Sequence, residues 1–160
     1  MEQLTLKERF WGCLAHVPLI TIIWVGYLMY FHFQEMSLTA LSSNFKIINI
    51  DSLPITPIIL TLLSIPISLT IMHLQKTSAF VYANANSAYR FNIWLVTNYI
   101  IAFFFGLLGI TTGIIQFMHI CGTIVLIVSA ISLIQACTGV VTALRGNIYR
   151  YWIPWTNKRF

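Results

Sequence analysis

Three polar side chains that could do chemistry lie inside long apolar stretches of this sequence. They are His16, Asn98 and Gln135. Along a helix, each lies roughly 10 to 15 Å from the nearest basic residue in the sequence. Polar residues within a membrane are rare, face the interior of a bundle and often mark proton, ion or ligand paths. We expect these three to form one hydrogen-bonded cluster, which either links helices or lines such a path.

Histidine could also hold a haem. His16 with His73, and His32 with His119, are pairs at similar predicted depths, as a membrane cytochrome with two haems requires. Pairs of this kind arise often by chance among a few helices. We therefore predict no cofactor and keep haem ligation as an alternative.

A zinc site is not expected. Cys13 and His16 are predicted near one face of a membrane, and His119 and Cys121 near the other. A structural zinc ion needs four ligands around one point, so these two pairs cannot combine.

Catalytic groups are lacking in the apolar stretches. The carboxylates all lie in the predicted tails or the outer loop, at Glu2, Glu8, Glu35 and Asp51. This position argues against an aspartyl intramembrane protease and against a carboxylate-driven pump. The sequence also has no G-x-S-x-G nucleophile motif. We predict that the protein is not an enzyme.

The elements that position these residues are predicted to be transmembrane helices. The sequence is 58% hydrophobic and 8% charged, whereas soluble domains are about 25% charged. The stretch between Arg90 and Arg145 has no charged residue and is about twice the roughly 20 residues that one crossing needs. We predict an all-α, integral membrane four-helix bundle that forms a single domain over residues 1–160. Its helices are expected over residues 10–33, 53–74, 90–111 and 116–144.

The segments beside the third and fourth helices are predicted to lie at the membrane surface. The stretch Lys76 to Arg90 contains alanines with capping residues and should form a short interfacial half-helix before the third helix. The hairpin between the last two helices should turn around Gly109 to Gly113. Gly146 should stop the fourth helix, and the aromatic and basic tail after it should anchor at headgroup depth.

Basic residues are distributed unevenly between the predicted loops. Both tails and the second loop contain every Lys and Arg except Lys46, so the positive-inside rule predicts that both termini face the cytoplasm. The predicted location is the bacterial cytoplasmic (inner) membrane, with an organelle inner envelope membrane as the alternative. The net charge of +5 is spread over short segments and forms no groove for nucleic acid.

Small residues form a seam along the fourth helix. Its members are Gly122, Ser129, Ser132, Ala136, Gly139 and Ala143. Small side chains at helical spacing let another helix approach closely, which favours association in lipid. The seam could pack within the chain or form an interface with a second copy or another membrane protein.

The sequences that flank the last two helices resemble a known family. The matching positions are Phe80, Val81, Ala88, Phe91 and Ile93 in FVYANANSAYRFNI, and Ala143, Gly146, Tyr149, Arg150, Tyr151 and Pro154 in ALRGNIYRYWIP. They are similar to small four-helix membrane proteins that include magnetosome membrane proteins, bacterial proteins of unknown function and the twenty-kilodalton subunit of the chloroplast inner-envelope import channel. That family usually has His where Asn84 stands here, so a ligand-binding role of that His does not carry over.

These observations predict a non-enzymatic membrane protein. Its partners would be the lipid bilayer and either other membrane proteins or further copies of itself. The family resemblance implies a subunit or organiser of a membrane complex that is linked to protein translocation. The alternative is a small carrier, channel or haem-containing redox subunit that uses the polar cluster.

Overall fold

Helices make up nearly all of the described chain. The computed structural model describes residues 4–42, 65–67, 69–74, 78–112 and 114–152. Its helices are α1 (Leu6–Leu14), α2 (Val17–Ser42), α3 (Ile65–Leu74), α4 (Ala79–Thr112) and α5 (Ile115–Leu144). The all-α class is therefore confirmed. Lys46, the first half of the predicted second helix, Gly113 and Pro154 lie outside the described residues.

Three helical stretches are long and apolar enough to cross a membrane. They are Leu6–Glu35, which joins α1 and α2, together with Ala79–Gly109 and Gln116–Leu144. The described part of the predicted second helix is α3, which is apolar but shorter. Three of the four predicted crossings thus correspond to described helices that are long and apolar enough to span a membrane.

The first helix begins earlier in the structure than the predicted range, residues 10–33. α1 begins at Leu6 because Thr5 and Glu8 form a capping box. The Thr5 hydroxyl accepts the Glu8 N–H at 3.2 Å, and the Glu8 carboxylate accepts the Thr5 N–H at 2.9 Å. These two bonds satisfy backbone donors that a helix start would otherwise leave open.

The same predicted helix is also interrupted. α1 ends at Leu14, and the N–H of His16 bonds the Cys13 carbonyl at 3.0 Å, one residue closer than in an α-helix. Pro18 follows and has no N–H for the carbonyl of Leu14, so the regular hydrogen-bond ladder cannot continue through this point. α2 then extends to Ser42, beyond the predicted end.

The third predicted helix, over residues 90–111, begins three turns earlier than expected. α4 runs from Ala79 to Thr112 without a break, so the prediction of a separate interfacial half-helix before Arg90 is wrong. Asn84 and Ser87 were predicted to cap or turn the chain, but both are buried on the inner face of α4. Their side chains therefore do not interrupt the helical backbone, which the surrounding alanines favour.

The connection between α4 and α5 is shorter than the predicted turn at Gly109 to Gly113. Gly109 belongs to α4, and its carbonyl accepts the N–H of Ile114 at 3.0 Å. A Cβ at Gly109 would lie 3.1 Å from the Cβ of Phe117. The glycine therefore lets the first turn of α5 pack directly on the last turns of α4.

α5 ends where the sequence predicts. Gly146 has a φ of +80°, a conformation that favours glycine. The N–H of Asn147 bonds the Thr142 carbonyl at 3.0 Å, and the N–H of Gly146 bonds the Ala143 carbonyl at 2.9 Å. This pair of bonds is a Schellman motif, which satisfies the last carbonyls of the helix and turns the chain back.

α5 is the central helix, and it packs along α2, α4 and α1. The start of α1, the start of α4 and the end of α5 meet at one end of the bundle. A Cβ at Gly12 would lie 2.7 Å from the Phe80 ring and 3.6 Å from Ala143, and the Ser78 hydroxyl donates to Glu8 at 2.8 Å. We call this the α1 end.

The first prediction concerns two glycines at the contact between α2 and α5, Gly26 and Gly122. Gly26→Ala should lower the free energy of unfolding by about 1–3 kcal/mol, because the new Cβ would collide with the hydroxyls of Ser129 and Tyr99. Gly122→Ala is the matched control, since its Cβ would meet Tyr30 at an ordinary 3.4 Å and alanine favours helix by about 1 kcal/mol. Thermal unfolding in detergent measures both, and equal midpoints would contradict this packing.

Candidate functional site

The most extensive buried polar contact is centred on His16, at the break between α1 and α2. Its side chain is fully buried. The Nδ1 atom lies 2.7 Å from the Tyr151 hydroxyl, and Nε2 lies 3.3 Å from Oδ1 of Asn84. The imidazole thus joins the first helix pair, α4 and the segment that follows α5.

The hydrogen bonds of Asn84 determine where the His16 protons lie. The Asn84 amide donates from Nδ2 to the Phe80 carbonyl at 3.1 Å, and its Oδ1 accepts the backbone N–H of Tyr149 at 3.1 Å. Oδ1 can only accept, so His16 must donate from Nε2. Nδ1 is then unprotonated and accepts the hydroxyl proton of Tyr151. The three groups form one chain of donors and acceptors with a neutral imidazole.

Tyr151 is held by aromatic packing as well as by its hydroxyl. Its ring stacks on Phe91 with centroids 4.5 Å apart and planes at 15°, and it meets Tyr149 edge to face at 5.0 Å. Burial, with a further contribution from Tyr149, raises the pKa of the Tyr151 phenol well above its ordinary range. The phenol therefore stays protonated and remains a donor to His16.

Gly139 makes room for this arrangement on α5. A Cβ at this position would lie 2.9 Å from the Tyr151 hydroxyl and 3.1 Å from Nδ1 of His16. Both distances are shorter than ordinary van der Waals contact. The glycine thus allows the hydrogen-bonded pair to lie against the backbone of α5.

The predicted cluster of His16, Asn98 and Gln135 is not formed. Asn98 donates to the carbonyl of Trp94 in its own helix at 2.7 Å, and Oε1 of Gln135 accepts the N–H of Trp152 at 2.8 Å. Gln135 is 8% exposed, and its Nε2 has no hydrogen-bond partner among the residues that the structure describes. Depth along the helices was a poor guide because the partners of His16 lie in segments that were predicted to be interfacial.

Asn84 and Tyr151 are the residues that sequence reasoning missed. A signal for Asn84 was present, since the alanines around it favour a helix that would bring it to the depth of His16. The family resemblance singled out Tyr151 as a position, but no pattern in the sequence indicated that it bonds His16. The tail is rich in aromatic residues, and nothing in its pattern distinguishes a ring that returns into the bundle from one at headgroup depth.

The six seam residues of α5 all lie inside the bundle. Ser132, Ala136 and Ala143 are buried with Gly122, Ser129 and Gly139. Ser129 donates to the Val125 carbonyl at 2.7 Å, so the Tyr99 hydroxyl at 2.7 Å must donate to Ser129. The seam therefore packs against the chain's own helices and tail.

The positions that carry the family resemblance surround the same network. Phe80, Ala88, Phe91 and Tyr151 are buried, Tyr149 is half-buried and Arg150 is exposed. Gly146 turns the chain so that the tyrosines can return to α4. Pro154 lies outside the described residues.

A cavity of about 320 Å³ lies between the second half of α4 and the first half of α5. Asn98 and Tyr99 contribute to its wall, which is otherwise formed by apolar side chains and Cys121. None of His16, Asn84 and Tyr151 lines it. The buried polar network and the cavity are thus separate features.

The arrangement around His16 can hold segments together but has little capacity for other chemistry. Both ring nitrogens of His16 are engaged, so it could ligate a metal only after losing a hydrogen bond. Within the described ranges, no group of three or more His, Cys, Asp and Glu side chains could hold a metal ion.

Comparison with protein-family models, with curated proteins and with solved structures gives no match for this chain.

The second prediction concerns the His16–Tyr151 hydrogen bond. Tyr151→Phe removes the donor but keeps the ring on Phe91, and His16→Leu removes the acceptor. A double-mutant cycle of unfolding in mixed micelles should give a coupling energy of about 0.6 kcal/mol and at most about 1.7 kcal/mol, the mean and the maximum measured for hydrogen bonds between membrane helices. The control cycle pairs His16→Leu with Tyr99→Phe, whose hydroxyl bonds Ser129 instead.

The control residues share no partner, so their effects should add within about 0.5 kcal/mol. Coupling of the same size in both cycles would mean that the His16–Tyr151 pair has no specific role in stability.

Proposed function

We propose that this chain is a non-enzymatic membrane protein that acts as a subunit or organiser of a larger membrane complex. One observation supports the proposal most directly. Buried polar side chains from different elements bond one another in the His16–Asn84–Tyr151 network and in the Tyr99–Ser129 pair, and the network does not line the cavity. Such groups serve to build a defined shape rather than to bind or move a solute.

Insertion in a membrane is supported by the outer face of α5. Large apolar side chains are exposed at spacings of three and four residues from Phe117 to Ile134, and Val141 lies two turns further on the same face. The members before Val141 are Phe117, Ile120, Ile124, Ile127, Ile131 and Ile134. A continuous stripe of this kind would be unfavourable in water, and lipid is the environment that it matches.

Arg90 supports a position for the membrane boundary on α4. Its side chain is exposed, and a charge at the centre of a bilayer is costly. From Arg90 to Thr112, α4 has about the length that one crossing needs. We place the hydrocarbon core along this part, so that the α1 end, with α1 and the first three turns of α4, extends into the headgroup layer.

The charge distribution supports an orientation for the bundle. Lys7, Arg9, Arg145 and Arg150 lie in or beside the segments that form the α1 end, whereas Glu35 lies in the last third of α2. By the positive-inside rule the α1 end faces the cytoplasm. The membrane would be a bacterial inner membrane or, as the alternative, an organelle inner envelope membrane.

A role beside a protein-translocating complex is suggested by the resemblance in sequence alone. The motif positions Phe91, Gly146, Tyr149 and Tyr151 build the junction between α4 and the returning tail. A shared junction would give a shared bundle shape. The partner would then recognise the outer surface of that shape.

The third prediction tests the orientation. In a protein with Cys13, Cys121 and Cys137 replaced, single cysteines are introduced at positions 46 and 158. A membrane-impermeant thiol reagent added to intact cells should label position 46 and should reach position 158 only after the cells are opened. Labelling of 158 but not of 46 in intact cells would reverse the proposed orientation.

The fourth prediction tests the role in a complex. A photo-crosslinking amino acid at the exposed positions Ile127 or Ile134 should give a discrete adduct with one membrane protein in native membranes. The same amino acid at buried Met118 is the control and should give none. The adduct partner should also purify with the unmodified protein.

Two results would contradict the organiser role. One is a protein that leaves native membranes as a single chain and moves a solute or ion after reconstitution, which would support a carrier or channel. The other is a Soret band in the purified protein that His16→Leu abolishes, which would support a redox subunit.

A further inference from the structure

The α1 end of the bundle exposes cations and large apolar side chains together. Lys7, Arg9, Arg145 and Arg150 are all exposed. Leu6 is 88% exposed, Phe10 is 60% exposed and Ile148 is 50% exposed. We call these seven residues the basic apolar face.

Contacts show that the two parts of this face are adjacent. A Cβ at Gly146 would lie 3.6 Å from Nε of Arg9 and 3.3 Å from a methyl carbon of Leu4. The start of α1 and the turn after α5 therefore lie side by side. The Arg9 guanidinium is beside the carboxyl end of α5, where a positive charge also complements the helix dipole.

Within the described residues, carboxylates compensate little of the charge of this face. Glu8 is the acidic residue described at this end, and its two oxygens accept hydrogen bonds from Thr5 and from Ser78 at 2.8–2.9 Å. In the described part of this end, four exposed cations thus accompany one carboxylate that is already engaged. A negatively charged partner would complement the face.

The apolar side chains of the basic apolar face indicate which kind of negatively charged partner would bind it. Leu6 and Phe10 are one helical turn apart in α1, so they share a face of it. Exposed apolar side chains beside Lys and Arg are typical of segments that lie in the interface of an anionic membrane. A soluble acidic polypeptide would complement the charges but would leave no hydrocarbon around Leu6 and Phe10.

We propose that the basic apolar face binds the headgroups of anionic phospholipids, with its apolar side chains in the interfacial layer and its cations at the phosphates. This inference goes beyond the proposed function and rests only on its membrane insertion, not on the organiser role. Selective binding of acidic lipid would fix the depth of the bundle and hold the α1 end, with the His16–Asn84–Tyr151 network behind it, at the membrane surface.

Native mass spectrometry of the detergent-solubilised full chain tests this proposal. The protein is titrated with phosphatidylglycerol and with phosphatidylcholine. The wild type should bind phosphatidylglycerol more tightly, and Arg145→Gln and Arg150→Gln should each lower that affinity about fivefold, which corresponds to about 1 kcal/mol per basic residue at an anionic surface. Affinity for phosphatidylcholine should not change.

Matched variants separate charge from folding and from position. Arg145→Lys keeps the charge and should keep the selectivity. Lys46→Gln removes one charge from the predicted opposite side and should leave phosphatidylglycerol binding unchanged. Thermal midpoints of all variants in phosphatidylcholine nanodiscs show whether they fold and insert, so a failure of insertion is distinguished from a failure of lipid selectivity.

Several results would overturn the proposal. Equal affinity of the inserted wild type for the two lipids is one, and an equal loss of phosphatidylglycerol binding in Lys46→Gln is another. Displacement of the lipid by inorganic phosphate would indicate a soluble anion site. Binding of polyglutamate in neutral nanodiscs, with the same dependence on Arg145 and Arg150, would indicate an acidic polypeptide partner instead.

Discussion

The structure depends on one constraint, namely that buried polar groups are costly unless they find partners within the protein; among the described side chains, Nε2 of Gln135 is the exception. An unsatisfied polar group in an apolar environment costs several kcal/mol. His16 meets the constraint through Tyr151 and Asn84, and Asn84 in turn accepts the N–H of Tyr149. The chain after α5 is therefore part of the bundle, because without it His16 would lose a hydrogen bond in a fully buried position.

Small residues are what allow these bonds to form between large helices. Gly139 lets the His16–Tyr151 pair lie on α5, and Gly26 leaves space for the hydroxyls of Tyr99 and Ser129. In lipid the hydrophobic effect does not draw helices together, so close packing and interhelical hydrogen bonds must do so. Here close packing and hydrogen bonding occur at the same positions, because Gly26 and Gly139 each lie where a buried hydroxyl bonds a residue of another element.

The two ends of the bundle have different characters, which bears on what each could do. Towards the α4–α5 turn the outer surface and the cavity are apolar. At the α1 end the core holds His16 and Asn84, and the surface mixes Leu6 and Phe10 with cations. One end is thus suited to hydrocarbon and the other to the layer where lipid headgroups and water meet.

The sequence by itself determined the helical class, the apolar spans and the end of α5, because length, charge-free runs and a glycine at a left-handed position are local properties. It also indicated the small seam of α5, which follows from helical periodicity. The break at His16 and the start of α4 at Ala79 also have local signals, namely Pro18 and the alanines before Arg90, but the predicted helix bounds did not use them. Only the tertiary structure decided that His16 bonds Tyr151 and Asn84 rather than Asn98 and Gln135. Hydrogen-bond partners depend on how the chain returns after Gly146, and that path is set by the stacking of Tyr151 on Phe91 across a long separation in sequence.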